Sequence, residues 1–464
     1  MLQTVYRNNL WWVTGCVDKG FLFLQERQEM LEILPLMRDT RLIALEGGHR
    51  TGKTTLLFQL VNRLMTCENI APKRIFYFPC DHRILLDQAM DLPQILDYYF
   101  GQILYEAPCQ LKQRVYVVLD EIDQIPDWPA IVKNWLDQTY QIKFIVSCTT
   151  VCRSNSPDQN TLAGRIDQIV IAPLTFTNYL EIHRHMDAQI ERFLSVLPGY
   201  SVFKDPVQYF NDLDRQKYTI EMCRPVITRL ANEYLLTGGY PEYQPGMPIS
   251  QWQQRLYLDI VIRGLYKDVI KPYRIRCPEK LERLLLYLAQ NQDKLHSGQS
   301  IGQDIHLDNN TAAKYLKCLE EAQLLAVIKN RLNAVNQFYS DNQWIVLADT
   351  GLRNAILHRA DLNEDEEKRL VALMLVQLAC RLGREHQYWV STYRDHRTHV
   401  DLLLSDRAKT LPVIISLQNE MPLQITRRWA DCCDFYANDL ALVITRQLIR
   451  KEKNHLALPF WLVR

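Results

Sequence analysis

The sequence predicts an α/β fold: a parallel sheet flanked by helices, then a winged-helix segment, then a C-terminal α/β domain. Three observations carry the prediction. RLIALEGGHRTGKTTLLFQL (41–60) reads as an apolar strand, a glycine-rich turn and a helix, and Gly47 to Thr54 fits G-x-x-x-x-G-K-[ST]. RVYVVLDEID (114–123) reads as a strand buried on both faces that delivers Asp120 and Glu121 at its carboxyl end, where ligands sit in such sheets. RIFYFPCD (74–81) and KFIVSCTT (143–150) are further short apolar runs of the same kind. Together they describe a P-loop NTPase sheet.

Composition sets the limits. At 464 residues the chain has room for two to four domains, each with its own core. A hydrophobic content of 47% with 23% charged residues is that of a globular protein. The net charge of +1 gives no global pull toward nucleic acid or membrane, so any such contact must be local. The start, MLQTVYRNNLWWVTG, lacks the pattern of a secretory signal, and no stretch approaches the roughly 18 uninterrupted apolar residues that span a bilayer. The 12 cysteines are scattered without a C-x-x-C pair, and Cys148 and Cys152 are too isolated from other ligands for zinc. They read as reduced thiols, and the expected location is cytoplasmic.

The first domain is expected over 1–185. An amphipathic helix at Glu26–Met37 carries Leu31, Ile33, Leu34 and Met37 as its apolar stripe. In the loop that follows, Gly47 and Gly52 let the backbone curl so that successive amides face a phosphate. Gly48, His49, Arg50, Thr51 and Thr55 complete the expected phosphate-binding stretch. Lys53 is a mobile cation for the β- and γ-phosphates, and Thr54 offers a hydroxyl to Mg²⁺. The strand at 74–81 is expected to end at Asp81, with a helix from Leu92 to Leu104. Asp120 is placed to hold Mg²⁺, and Glu121 to polarise a water attacking the γ-phosphate of ATP. Ser147, Thr149 or Thr150, ending the next strand, would contact that phosphate or water.

LAGRIDQIVIAPLTFTNYLEI (162–182) makes the reading more specific. With its L-A-G-R, apolar strand and P-L-T-F, the chain resembles a prokaryotic family of AAA-type ATPases with a C-terminal domain of unknown function. The likeness continues through LLTGGYPEY (235–243), DIVIRGLYKDV (259–269) and LADTGL (347–352). The resemblance implies that Arg165, the arginine of L-A-G-R, senses the γ-phosphate from the same or a neighbouring subunit, so oligomerisation is compatible with it. The plainer alternative for Arg165 is a structural ion pair. No arginine-rich lid or second phosphate-acceptor motif suggests a nucleotide kinase.

A helical connector is expected over 186–275, with Gly238, Gly239 and Pro241 forming a bend between domains. The winged helix is expected over 276–345, with a helix opened by Asn310 or Thr311 and an inner face of Ala312, Tyr315, Leu316 and Leu319. Thr311, Lys314 and Lys317 then face outward, where a recognition helix would meet DNA. Glu320 and Glu321 follow at once and suit a protein partner equally well. Over 346–464 a helix (Leu370–Leu382) precedes strands in YWVSTY, HVDLLL, PVIISL and ALVIT. The resemblance implies a restriction-endonuclease-like fold there, but its acids fall on Lys368, Asp401 and Ser416, and its lysine on Gln418. Only Asp401 remains a carboxylate unless Glu367 substitutes, so a catalytically inactive module is expected. The expected whole is a Mg²⁺-dependent ATPase whose cycle controls modules that bind DNA or protein. The alternatives are a nucleotide-dependent protein switch and an ATP-controlled nuclease.

Overall fold

The computed structural model describes residues 2–22, 25–82, 85, 90–149, 161–334, 337–394, 399–406, 409–417, 440–452 and 454–464. The chain divides into two compact units, Met1–Ala172 and Pro173–Arg464. The first ends before residue 185 because the segment after Pro173 packs with the second. Leu174 N–H donates to the Gly239 carbonyl at 2.7 Å, and the rings of Phe176 and Tyr179 lie 5.5 Å from that of Tyr234.

In the first unit, five strands run parallel: β1 (Leu42–Glu46), β2 (Ile75–Pro79), β3 (Val115–Asp120), β4 (Ile142–Cys148) and β5 (Ile166–Val170). Their order is β2-β3-β4-β1-β5. β1 to β4 are buried almost throughout, as unbroken apolar runs covered on both faces require. The outer edge of β2 is not left bare. Trp11 and Trp12 donate to the Ile75 carbonyl at 3.2 and 2.8 Å, and buried Asn9 exchanges hydrogen bonds with the Tyr77 backbone at 2.9 and 2.7 Å. The first expected helix runs over Glu29–Leu36 and buries Met30 and Ile33, with Met37 following it. Leu31, expected in the apolar stripe, is instead 69% exposed, because its neighbour Met30 takes the inward position.

The second unit is built on a nine-stranded mixed sheet. Its strands are β6 (Leu295–His296), β7 (Leu325–Ala334), β8 (Gln337–Leu347), β9 (Trp389–Arg394), β10 (His399–Ser405), β11 (Thr410–Ile415), β12 (Ala441–Thr445), β13 (Arg450–Lys451) and β14 (His455–Pro459). The order is β13-β14-β12-β11-β10-β9-β7-β8-β6. The parallel β7–β9 pair joins the expected wing to the expected C-terminal domain in one sheet. Buried Asn330 fastens that join, donating to the Arg394 carbonyl at 3.2 Å and accepting from its N–H at 2.9 Å. The helix Asn309–Glu321 is capped by Asp308, which accepts from Thr311 N at 3.0 Å, so it begins just before the expected Asn310 or Thr311. Lys314 and Lys317 are exposed on it. The long helix Glu364–His386 starts well before the expected Leu370, because Asn363 caps it and four acids fill its positive first turn.

Gly238 and Gly239 bend the chain within this unit and not between domains. Gly238 has φ +78° and ends the helix Lys217–Thr237. Gly239 N–H donates to buried Asp349 at 2.8 Å, and a Cβ there would lie 2.1 Å from the Leu174 carbonyl oxygen. GGYPEY and LADTGL thus meet, with Asp349 also capping the helix Thr350–Leu357. Among the described residues no helix is long and apolar enough to cross a membrane.

Candidate functional site

The site lies outside the carboxyl ends of β1, β4 and β3, which stand side by side. The loop leaves β1 at Glu46 and enters the helix Lys53–Thr66 at Thr51 and Gly52. It needs its glycines. A Cβ on Gly47 would sit 2.4 Å from the Ile171 carbonyl oxygen, and Gly52 has φ +94°. Arg50 also adopts a left-handed backbone. Lys53 is buried, and its ammonium donates to the carbonyls of Gly47 and Gly48 at 2.7 and 2.9 Å. It therefore reaches back across the loop to its first two residues. Gly48 and Thr51 are buried, while His49, Gly52, Thr54 and Thr55 are partly accessible.

Three hydroxyls converge on Asp120 at the end of β3. Thr54 and Tyr77 donate to one carboxylate oxygen at 2.7 and 3.0 Å, and Ser147 donates to the other. Ser147 also accepts from Glu121 N–H at 2.9 Å, which helps hold Glu121 in a left-handed backbone with φ +54°. Burial, then the adjacent Asp120 charge, raises the Tyr77 phenol far above its usual range, so it remains a donor. This arrangement changes the expectation for Ser147. The residue is fully buried and holds the two acids from β4, which lies between β1 and β3, instead of reaching a phosphate itself. Thr149 N–H donates to Asp123 at 3.1 Å, and Thr150 lies outside the described residues.

Arg165 is not brought to this cluster. It precedes β5 beside Leu42, whose N–H donates to its carbonyl, and its guanidinium pairs with Asp137. In the parallel β1–β5 register Leu42 faces Ile166 and Glu46 faces Val170. Arg165 is thus at the amino end of the sheet, about 16 Å of strand from the loop. Its same-chain role at the phosphates is corrected by this register.

The pattern alone did not reveal Tyr77 or Arg27. Tyr77 sits in an aromatic run that reads only as a buried strand. Arg27, 7% exposed, pairs with Glu29 at 2.8 Å and donates to the loop carbonyl of Thr51 and to that of Ala172 at 2.8 Å. No motif marks it.

In the second unit, the acids expected from the nuclease-like reading are engaged elsewhere. Glu367 is buried against Arg446. Asp401 accepts from Ile415 N–H at 2.8 Å and lies 3.2 Å from His399 Nε2. Burial raises its pKa, but His399 and that amide outweigh burial and hold it below the usual carboxylate range. Gln418 lies outside the described residues.

Residues 39–180 match the AAA domain family, and residues 228–363 match a domain of unknown function. An uncharacterized protein of Methanocaldococcus jannaschii is 25% identical over 329 residues, covering 70% of this chain. The chain spans 64% of that relative's length. An uncharacterized protein of Haemophilus influenzae is 22% identical over 362 residues, covering 76% of this chain and 78% of its own. Among solved structures, the Aeropyrum pernix ORC1 protein in complex with DNA has a TM-score of 0.31 at 10% identity, over 72% of this chain and 93% of its own. The Bacillus subtilis DNA clamp loader delta protein has 0.25 at 13%, over 75% and 98%. The likeness to the AAA domain thus falls on the unit that holds the glycine-rich loop and Asp120, and the likeness to a domain of unknown function lies behind it.

Proposed function

We propose that the protein binds ATP at Gly47–Thr55 and hydrolyses it with Mg²⁺, and that this cycle controls how the second unit meets a partner. The observation that carries the reading is the clamp on Asp120, where the hydroxyl of Thr54 from the loop's helix meets those of Tyr77 and Ser147, and Ser147 also holds the Glu121 backbone. Thr54 and Asp120 offer hard oxygen donors 2.7 Å apart, a set that suits Mg²⁺. When bound, the metal supplies charge neutralisation across the β- and γ-phosphates. Lys53 would leave the Gly47 and Gly48 carbonyls for phosphate oxygens, so its charge is retained and only its partners change. Glu121 would accept the proton of the attacking water, with its backbone fixed by Ser147. In Glu121→Gln, ATP binding is expected to remain and turnover to vanish. Unchanged turnover in that variant overturns the reading.

For the partner, we read 276–345 as a winged helix, and the connector just before it as the face used on protein. Leu258, Ile262 and Tyr266, at helical four-residue spacing, are 45%, 45% and 59% exposed. Beside them Arg263 pairs with Asp259 at 2.9 Å, which offsets its charge. DNA remains the second reading, because Lys314 and Lys317 are exposed. A gel shift that weakens steeply with salt and is lost on Lys314→Glu with Lys317→Glu supports DNA. Nuclease activity is not proposed, since one carboxylate cannot hold a cleaving metal site.

A further inference from the structure

In the second unit a cavity of about 220 Å³ is lined by Gln292, Trp344, Lys368, Arg394, His399 and Asp401, among others. This is where the nuclease-like reading looks for a metal, and the donors do not fit one. Asp401 is engaged by His399 and Ile415 N–H, and lysine stands where an acid was expected. Among the described residues no group of three His, Cys, Asp or Glu could hold a metal ion.

The cavity holds unsatisfied polar groups of another kind. Gln292 is 3% exposed, yet among the described residues neither its amide nitrogen nor its amide oxygen has a hydrogen-bond partner. A native buried amide open at both ends is rare. It calls for a group that donates and accepts side by side, as the edge of a nucleobase does. Arg394 lies 4.5 Å over the Trp344 ring and donates to the Asp293 carbonyl at 2.7 Å, while its Nε has no partner among the described residues. Lys368 is exposed and has no ionic partner among the described residues. Exposed Lys368 and the cationic Arg394, both on the lining with Gln292, suit a phosphate. Asp293, Asp365 and Asp401 offset the cations of the lining, which disfavours a triphosphate or a duplex. The volume likewise admits one nucleotide and not several.

We propose that this pocket binds a single nucleoside monophosphate unit, its base edge on the Gln292 amide and its phosphate between Lys368 and Arg394, without metal and without strand cleavage. The unit is either a free mononucleotide or the phosphorylated end of a single strand.

The test is calorimetric titration of the full-length chain, with ADP in excess to fill the P-loop. The probes are AMP, GMP, CMP, UMP, inorganic phosphate and a short 5′-phosphorylated single strand, each with and without chelator. The expected result is stoichiometric, chelator-insensitive binding of at least one nucleotide probe. Gln292→Leu and exposed Lys368→Ala should each weaken it about tenfold or more. ATP turnover should be unchanged in both. Binding of the strand alone identifies a strand end as the source, and binding of a free nucleotide identifies the metabolite. No binding of any nucleotide probe, or binding indifferent to both substitutions, overturns the proposal. So does inorganic phosphate binding as tightly as every nucleotide, because Gln292 would then read nothing.

Discussion

Asp120 is the residue whose surroundings decide what the first unit can do. Its carboxylate accepts from Thr54, Tyr77 and Ser147, which come from the helix after the loop, from β2 and from β4. Tyr77 is fixed in turn by Asn9 on its backbone, so the phenol reaches Asp120 from a rigid strand. Tyr77→Phe keeps the ring and removes a hydrogen bond to a charged group, worth about 1.5–3 kcal/mol. The Mg²⁺ concentration giving half-maximal ATP turnover is expected to rise roughly tenfold or more, with folding unchanged. An unchanged Mg²⁺ titration would remove Tyr77 from the site. Arg165 argues the other way. Its pair with Asp137 is half exposed on both sides, at 46% and 47%, and such pairs contribute about 0–1 kcal/mol. Arg165→Ala is expected to leave turnover within about twofold, whereas a loss on the order of a thousandfold would mean that a neighbouring copy supplies the guanidinium.

The elements themselves were legible to different degrees, for physical reasons. β1 and β3 could be read because an unbroken apolar run followed by fixed polar residues has few other uses. The helix Glu29–Leu36 could be placed but not oriented, since Met30 and Leu31 are both apolar and only packing chooses between them. The β7–β9 pairing was invisible, because a parallel contact between distant strands leaves no local pattern. The long helix Glu364–His386 shows a further case. Its Glu366, 4% exposed, pairs with buried Arg353 at 2.7 Å and also with Arg359 and Arg369. Burial raises the Glu366 pKa, but the Arg353 hydrogen bond and charge outweigh it and hold the group below its ordinary value of 4.5. A lowered folded-state value means that this stabilisation is fully present above about pH 4.5 and is lost as pH falls further, through the folded value. Glu366→Gln leaves Arg353 uncompensated and should cost about 3–5 kcal/mol at neutral pH. Denaturant unfolding of the two proteins at pH 7 and under acid should show a large gap that narrows as the pH falls. A constant gap would mean that the pair is not the source.

At the scale of the whole molecule, the proposed control of the second unit needs a route from the phosphate loop. The chain offers one short physical route inside the first unit. Arg27 donates to the carbonyl of Thr51 within the loop and to that of Ala172, the last residue before the second unit begins. Ile171 lies against Gly47 so closely that a Cβ would clash. A loop that rearranges around phosphates must therefore act on the residues that lead out of the unit. Truncating Arg27 alone would strand Glu29, which is 3% exposed on its side chain, and breaking such a buried pair costs about 3–5 kcal/mol. Replacing both partners by apolar groups of similar volume is often neutral. The double variant Arg27→Met with Glu29→Leu is therefore expected to fold, to bind ATP and to have lost the signal to the second unit. Limited proteolysis with and without a non-hydrolysable ATP analogue reads this directly. Nucleotide should change the cleavage pattern beyond residue 173 in the natural chain and leave it unchanged in the double variant. If the double variant keeps the nucleotide-dependent pattern, the link does not run through Arg27; if the natural chain shows none, the two units are not coupled by ATP.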